Sequence, residues 1–179
     1  MYEKFGQFIN GKWQASSTNE TYQVINPANE EILGNASKAS PEDVDKALKA
    51  AEKGLEIWKK TPPWQRSYII RSIADKMREK QDVLAKWMTL EVGKPFAEAK
   101  GEVGAAADIF EWNAEETKRI YGQTVESRFE DTRVHVYYQP VGVVAALTPW
   151  NFPLVLSSRK ISTALAAGCS VIIKPDTIT

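Results

Sequence analysis

The chain has 179 residues, of which 43% are hydrophobic and 26% are charged, so it is long and apolar enough for a globular core. Its 23 lysines and arginines equal its 23 aspartates and glutamates, which excludes the basic surface of a nucleic-acid or anionic-membrane binder. A single cysteine, Cys169, excludes an internal disulfide and favours a reduced, cytoplasmic setting. No apolar run approaches the roughly 20 residues that span a bilayer, and residues 1–6 carry no secretory signal.

Short strands are predicted for the first 36 residues. Asn10 and Gly11 lie between two apolar runs in Gln7–Trp13, which is the preferred composition of a two-residue hairpin turn. A second strand is predicted at Tyr22–Ile25, followed by a turn at 26–29 and further extended chain at Glu31–Leu33.

Four helices are predicted next. Ser40 is suited to cap the first helix, whose apolar residues share one face: Val44, Ala47, Leu48, Ala51 and Leu55. The second begins near Trp64 and is predicted to bury Ile69, Ile70, Ile73, Ala74 and Met77. A third covers about 82–90 and ends at Gly93, and a fourth covers about 97–120 and is rich in small residues.

The pattern then changes to that of a parallel sheet. Thr132–Tyr138 alternates polar and apolar residues, as a half-exposed strand does. Val141–Leu147 is a continuous apolar run, typical of a strand buried on both faces, and Cys169–Lys174 is predicted to be a second buried strand. A helix is predicted between them at 154–167. The chain is therefore α/β, with a βαβ unit that begins a Rossmann-like sheet after β-hairpins and a helical region.

Two candidate sites follow the two buried strands. The run Leu-Thr-Pro-Trp-Asn-Phe-Pro at 147–153 joins a strand end to a helix start, where its Asn151 amide is placed to stabilise an oxyanion. The alternative is that Asn151 only caps the helix. Lys174, at the end of the second strand, is suited to hold a ribose or phosphate; the alternative is an ordinary exposed lysine. The phosphate-binding Gly-x-Gly-x-x-Gly pattern is absent.

Long motifs, in order, resemble the aldehyde dehydrogenase superfamily. They lie at Phe8–Trp13, Val24–Ala28, Glu91–Pro95, Pro140–Pro153, Ala164–Cys169 and Val171–Pro175, and the resemblance covers nearly the whole chain. It implies an incomplete, N-terminal part of that fold. The implied division is 1–123 for the hairpins and helices of the cofactor-binding domain, 124–139 for a strand segment of the oligomerisation region, and 140–179 for the first, truncated βαβ unit.

The resemblance also implies roles for individual residues. Asn151 matches the asparagine whose amide binds the oxyanion, and Lys174 matches the lysine that holds the adenosine ribose of NAD or NADP. The remaining residues implied at the cofactor are Leu147, Thr148, Pro149, Trp150, Pro175, Asp176 and Thr177. Thr177 stands where the family usually has Glu or Ser; a Glu there repels the 2′-phosphate of NADP, so the neutral threonine removes the expectation of strict NAD preference.

Arg159 bears on the substrate. It stands where many members that oxidise uncharged aldehydes have tryptophan, and succinate-semialdehyde dehydrogenases resemble the chain here, with the arginine facing the substrate carboxylate. We therefore expect oxidation of a small aldehyde, succinate semialdehyde, and a partly buried Arg159 near it. The alternatives are a structural surface arginine and a lactaldehyde- or glycolaldehyde-type enzyme.

The resemblance places the cysteine nucleophile and the glutamate base beyond these residues, so the 179-residue chain alone is expected to be inactive, and a truncated non-catalytic module is the other hypothesis. Cys169 is expected to be a small buried hydrophobe and His135 a structural residue, with no metal site. In the family the strand region at 124–139 takes part in oligomer contacts, which implies a homo-oligomer.

Overall fold

The computed structural model describes residues 6–177. The prediction that no secretory signal opens the chain rests almost wholly on residues 1–5 and lies outside the described part. Within that part, five helices and eight short strands confirm the α/β class. In chain order they are β1 (Gln7–Ile9), β2 (Lys12–Gln14), β3 (Thr21–Ile25), β4 (Ile32–Ser37), α1 (Pro41–Trp58), α2 (Pro63–Glu79), α3 (Gln81–Val92), α4 (Phe96–Glu116), β5 (Gln123–Glu126), β6 (Arg133–Val136), β7 (Val143–Leu147), α5 (Pro153–Ala166) and β8 (Ser170–Lys174).

The first four strands form two antiparallel hairpins, β1–β2 and β3–β4. The predicted turn between β1 and β2 is confirmed, since Asn10 and Gly11 both have positive φ, 52° and 74°. Two such residues in succession match the natural twist of a hairpin. Phe8 lies opposite Trp13 in the register, and their ring centroids are 5.1 Å apart.

Helix α1 begins as predicted, with Ser40 as its cap. The carboxylate of Asp43, which is only 2% exposed, closes the capping box and also binds the loop before β3. It accepts hydrogen bonds from the Ser40 amide at 3.0 Å, the Ser17 amide at 3.1 Å and the Ser16 hydroxyl at 3.1 Å. The Ser40 amide, helped by Ser17 and Ser16, holds the pKa of Asp43 well below its usual range despite burial.

The predicted apolar face of α1 is only partly buried among the described residues. Val44 and Leu48, in the first half of that face, are 48% and 43% exposed. The last turn of α1 is held against α5, because the Trp58 indole donates a hydrogen bond to the Leu165 carbonyl at 2.9 Å. Helix α1 also contacts β7 and β8, and thereby covers part of the parallel sheet.

The main core lies between α2, α4 and α5. Small, fully buried residues on α4, Ala106, Ala107 and Ala114, allow close packing against Ile70 of α2. The prediction that Ile69 is buried is wrong, since it is 37% exposed. Its neighbour Ile70 occupies the packed stripe, and one residue turns a helix by about 100°. The buried positions of α2 are Arg66, Ser67, Ile70, Ala74 and Met77.

A separate hairpin, β5–β6, follows the helices. The strand predicted at Thr132–Tyr138 is shorter, covering Arg133–Val136, and it pairs antiparallel with β5. The sequence did not predict β5. Every residue of β5 is exposed, as are most of β6, because no other described element packs closely on the hairpin.

The predicted βαβ unit is confirmed: β7 and β8 are parallel neighbours joined by α5, and Gly168, with φ 86°, ends the helix before β8. The prediction that both strands are buried on both faces is wrong for the described residues. Ala146 is fully buried, but Leu147 is 66% exposed and Val141 lies outside the strand at 88% exposure. A two-stranded sheet covered by α1 and α5 leaves its edges and strand ends open. None of the helices within 6–177 is long and apolar enough to cross a bilayer.

We expect Asp43→Asn to lower the melting temperature by a few degrees at neutral pH, because the amide presents an NH₂ group to the donors that Asp43 accepts from. The folded pKa of Asp43 is depressed, so its stabilisation is complete above the unfolded pKa of about 4 and is lost as pH falls through the folded value. The difference in melting temperature between the wild type and the variant should therefore decrease as the pH is lowered from about 5 to 2.

The matched control is Asp45→Asn, a change at an exposed carboxylate on the same helix. It should leave the melting temperature almost unchanged at both pH values. An Asp43→Asn gap that stays constant across this pH range would contradict the role assigned to the Asp43 charge.

Candidate functional site

The two turns predicted to carry chemistry open on the same edge of the parallel sheet. Leu147, the last residue of β7, is the register partner of Lys174, the last residue of β8. The pairing continues one residue further, since the Thr148 amide donates to the Lys174 carbonyl at 3.3 Å. The carboxyl ends of both strands therefore meet, which is where open α/β sheets bind ligands.

This edge exposes an unusual combination of side chains. Leu147 and Trp150 are 66% and 50% exposed, Pro149 is exposed, and Thr148 is buried beneath them. Beside them Lys174 is exposed and makes no ion pair with the residues described here. Apolar surface next to an unpaired ammonium matches the chemistry of a dinucleotide, which presents flat bases together with ribose hydroxyls and phosphates. The residues present fit NAD(P).

The residues after Lys174 lie partly within reach of β3. Pro175 and Thr177 are exposed, and Asp176 is half-buried. Burial raises the pKa of the Tyr22 hydroxyl, and the negative charges of Glu91 and Asp176 raise it further. Asp176 therefore lies close enough to β3 for its charge to act there.

Asn151 lies in the loop between β7 and α5, and its side chain is exposed. The alternative that Asn151 caps α5 is not what the structure shows, because the N-cap position is occupied by Phe152, which makes no side-chain cap. The Asn151 amide group makes no hydrogen bond to any residue between 6 and 177, so it is available to a ligand at the mouth of the sheet edge.

The cap of α5 comes from Glu102 on α4, 52 residues before Leu154. Glu102 is only 5% exposed. Its carboxylate accepts hydrogen bonds from the first free amides of α5, Leu154 at 3.0 Å and Val155 at 3.2 Å. The second carboxylate oxygen pairs with the ammonium of Lys94. A buried carboxylate needs such partners, and the positive end of a helix dipole favours it further.

Lys94 also contacts the loop directly. Its Nζ donates to the Asn151 carbonyl at 3.1 Å and lies 4.0 Å from the ring centroid of Phe152. From the sequence, this region was identified as a helix stop at Gly93 and as the Glu91–Pro95 motif, and no role was predicted for Lys94 or Glu102. Lys94 lies in the loop between α3 and α4 and Glu102 lies on α4, so no helical or strand periodicity links the two.

Arg159 lies on the free face of α5. The buried residues of that helix are Ser158, Ser162, Ala164 and Ala166, and Ser162 accepts a hydrogen bond from Asn113 of α4 at 3.0 Å. Arg159, one position on from Ser158, points away from this contact and is exposed, so the expectation of a partly buried Arg159 is wrong for the described residues. It shares the exposed face with Phe152 and Thr163.

One further expectation from the sequence agrees with the structure. Cys169 is 2% exposed at the start of β8, as a small buried hydrophobe. His135 lies on the exposed β5–β6 hairpin, where its Nδ1 is 3.1 Å from the Thr124 hydroxyl. No group of metal-ligating side chains is found anywhere in the described range.

The chain matches the profile of one protein family and is similar in sequence to several dehydrogenases. The profile of the aldehyde dehydrogenase family matches residues 13–179. The chain is 47% identical to succinate-semialdehyde dehydrogenase (NADP(+)) of Escherichia coli and 46% identical to glutarate-semialdehyde dehydrogenase of Pseudomonas putida, over 93% and 94% of its length. It is 39% identical to 3-sulfolactaldehyde dehydrogenase of Pseudomonas putida over 94%. It spans about a third of each of these relatives, 35% of their length.

The fold of the chain also superposes closely on solved structures of similar sequence. An Escherichia coli NADP-dependent enzyme superposes with a TM-score of 0.96 at 45% identity, over 99% of this chain and 37% of the other. Betaine aldehyde dehydrogenase from Staphylococcus aureus, a double mutant in complex with NAD+, superposes with a TM-score of 0.95 at 35% identity, over 98% of this chain and 36% of the other.

Proposed function

Because the chain belongs to the aldehyde dehydrogenase family, we propose that it supplies the oxyanion donor and part of the cofactor site of an enzyme that oxidises an aldehyde to a carboxylic acid with NAD(P)+. The observation that carries the proposal is the exposed Asn151 amide, without a protein partner in residues 6–177, at the same sheet edge as Lys174. The other candidate is a non-catalytic module that binds nucleotide or a partner.

Asn151 acts on the oxygen of the substrate. When a thiolate attacks an aldehyde, the carbonyl oxygen gains negative charge, and a preorganised N–H donor stabilises it. The amides at the start of α5 are not available for this, since Leu154 and Val155 already donate to Glu102. The side-chain amide of Asn151, which has no partner in residues 6–177, is a donor that this loop offers.

The cofactor supplies the hydride acceptor when bound. Lys174 holds the ribose, and Leu147, Thr148, Pro149 and Trp150 form the wall of its pocket, with Pro175, Asp176 and Thr177 completing the edge. The relatives support either nucleotide, since one is named for NADP(+) and one structure contains NAD+. Neutral Thr177 places no negative charge against a 2′-phosphate, so we propose that both cofactors are accepted.

The substrate carries an anion at the end remote from its aldehyde. The relatives are named for succinate semialdehyde, glutarate semialdehyde and 3-sulfolactaldehyde, which end in a carboxylate or a sulfonate. Arg159, exposed and without an ion pair in the described range, is suited to either group, because its guanidinium donates two parallel hydrogen bonds. We propose succinate semialdehyde first; lactaldehyde or glycolaldehyde is the alternative.

Assembly with further copies is also proposed. The β5–β6 hairpin exposes Val125 and Val134 at 46% and 44%, and Tyr137 at 75%. Apolar side chains on a hairpin with open edges favour pairing with another chain. This supports a homo-oligomer in which the hairpin forms a contact.

The 179-residue chain alone should oxidise no aldehyde with NAD+ or NADP+. The resemblance places the thiolate and the glutamate base beyond these residues, and Cys169 is buried at 2% exposure, out of reach of a substrate. The measurement is formation of reduced nicotinamide by purified, sequence-verified chain with succinate semialdehyde. Turnover above the level of a preparation without the chain would contradict the prediction.

The role of Asn151 is tested in a hybrid enzyme, in which this chain replaces the matching N-terminal third of the Escherichia coli succinate-semialdehyde dehydrogenase. Asn151→Ala should lower kcat by about 100- to 1,000-fold, the usual effect of losing one oxyanion donor. The Kd for NADP+ should change far less. Asn35→Ala, which removes an exposed amide on β4, is the matched control. Unchanged kcat in a single-turnover measurement of hydride transfer would remove Asn151 from the mechanism.

The role of Arg159 is tested in the same hybrid enzyme with two aldehydes of equal carbon number, succinate semialdehyde and butanal. A charge-assisted hydrogen bond contributes about 1.5–3 kcal/mol, so Arg159→Ala should lower kcat/KM for the semialdehyde by about 10- to 150-fold. The value for butanal should change little. Lys53→Ala on α1 controls for the loss of one exposed cation.

An equal loss of kcat/KM for both aldehydes would contradict the anion-binding role of Arg159. Arg159 would then be a structural residue, and the semialdehyde assignment would lose its support from this chain. The oxyanion role of Asn151 would stand, because it does not depend on the charge of the substrate.

A further inference from the structure

We propose that Lys94 and Glu102 form a clamp that fixes the backbone at Asn151 and directly after it, and that both are positioning residues for the reaction. The proposal rests on the proposed oxyanion role of Asn151. It goes beyond that role because neither side chain is among those proposed to contact the substrate or the cofactor, and both bind only the backbone of the loop and the start of α5, apart from the Lys94 contact with the Phe152 ring. They act through the loop that carries Asn151.

The Glu102 side of the clamp holds the chain after Asn151. Its carboxylate binds the Leu154 and Val155 amides, the first two free amides of α5, since Pro153 has none. These amides have no partner within their own helix. Helix α5 lacks a side-chain cap at Phe152, so a carboxylate from α4 sets where its first turn begins.

The Lys94 side holds Asn151 itself. The ammonium donates to the Asn151 carbonyl at 3.1 Å and lies over the Phe152 ring at 4.0 Å. Its side chain is 12% exposed, and its charge is balanced by Glu102, whose side chain is 2% exposed. Lys94 follows Gly93, whose φ of 69° ends α3 and turns the chain toward this loop.

The two halves are coupled because one ion pair joins them. Removing either charge leaves the other buried without its partner, which is strongly unfavourable. The result is a loop whose backbone is fixed at Asn151 on one side and at Leu154 on the other, while the Asn151 side chain stays exposed. Such fixing matters for catalysis, since a displacement of about 1 Å can cost about 100-fold in rate.

The test uses Glu102→Gln in the hybrid enzyme. Glutamine keeps the shape of the side chain, but its NH₂ group meets either the Lys94 ammonium or the α5 amides, all of which are donors. We expect kcat to fall by about 10- to 100-fold, with KM for the aldehyde and Kd for NADP+ changing less than about threefold. Glu98→Gln, an exposed carboxylate one turn earlier on α4, should leave kcat unchanged.

A double-mutant cycle with Asn151→Ala separates positioning from general damage. If the clamp acts through Asn151, Glu102→Gln should lower kcat no further in the Asn151→Ala background. A second fall of the same size would overturn the clamp while leaving the oxyanion role intact. Unchanged kcat in Asn151→Ala alone would overturn both, and would identify the proposed function as the part that failed.

A second readout does not depend on activity. The Leu154 and Val155 amides should exchange with solvent deuterium slowly in the hybrid enzyme and about tenfold or more faster in Glu102→Gln, because no other acceptor protects them. If Glu102→Gln does not fold, Lys94→Met combined with Glu102→Gln removes both charges together and serves instead. Exchange as fast in the unmodified hybrid as in the variant would overturn the clamp.

Discussion

The arrangement of the site depends on one buried carboxylate. Glu102 lies on the long central helix α4, and it satisfies the start of α5 while balancing the charge of Lys94. It thereby links the helical layer to the loop that leaves the parallel sheet. A carboxylate with so little exposure would be unfavourable without these three donors, so the loop, the helix start and the ion pair have to form together.

This constraint explains why the sheet edge can remain open. The groups that hold the loop lie beneath it, and they use the backbone of Asn151 and the first amides of α5. The side chains at the sheet edge do not hold the loop in place within the described residues, and they are exposed: Asn151, Trp150 and Leu147. Exposed apolar surface and an unpaired amide are unfavourable features in a purely structural loop, and they are what a ligand-binding loop requires.

Much of this was predictable from local sequence. The Asn10–Gly11 hairpin, the Ser40 cap and the parallel βαβ unit all follow from short-range rules, and all were confirmed. The sequence also predicted that Asn151 and Lys174 lie at the same edge of the sheet, because the carboxyl ends of parallel strands meet there. The roles of these residues remain predictions, since position at an edge does not establish what binds there.

What the sequence did not predict depends on long-range contacts. Glu102 is 52 residues from Leu154 in the helix that it caps, and no periodicity links the two. The choice of Ile70 over Ile69 for the core, and the exposure of Arg159, depend on which helix face meets α4.

The most direct test of the role of Asn151 is a crystal structure of the hybrid enzyme with cofactor and a thiol-bound aldehyde adduct. The account predicts the Asn151 Nδ2 at about 2.7–3.1 Å from the adduct oxygen; an oxygen bound by other groups, with Asn151 turned away, would contradict it.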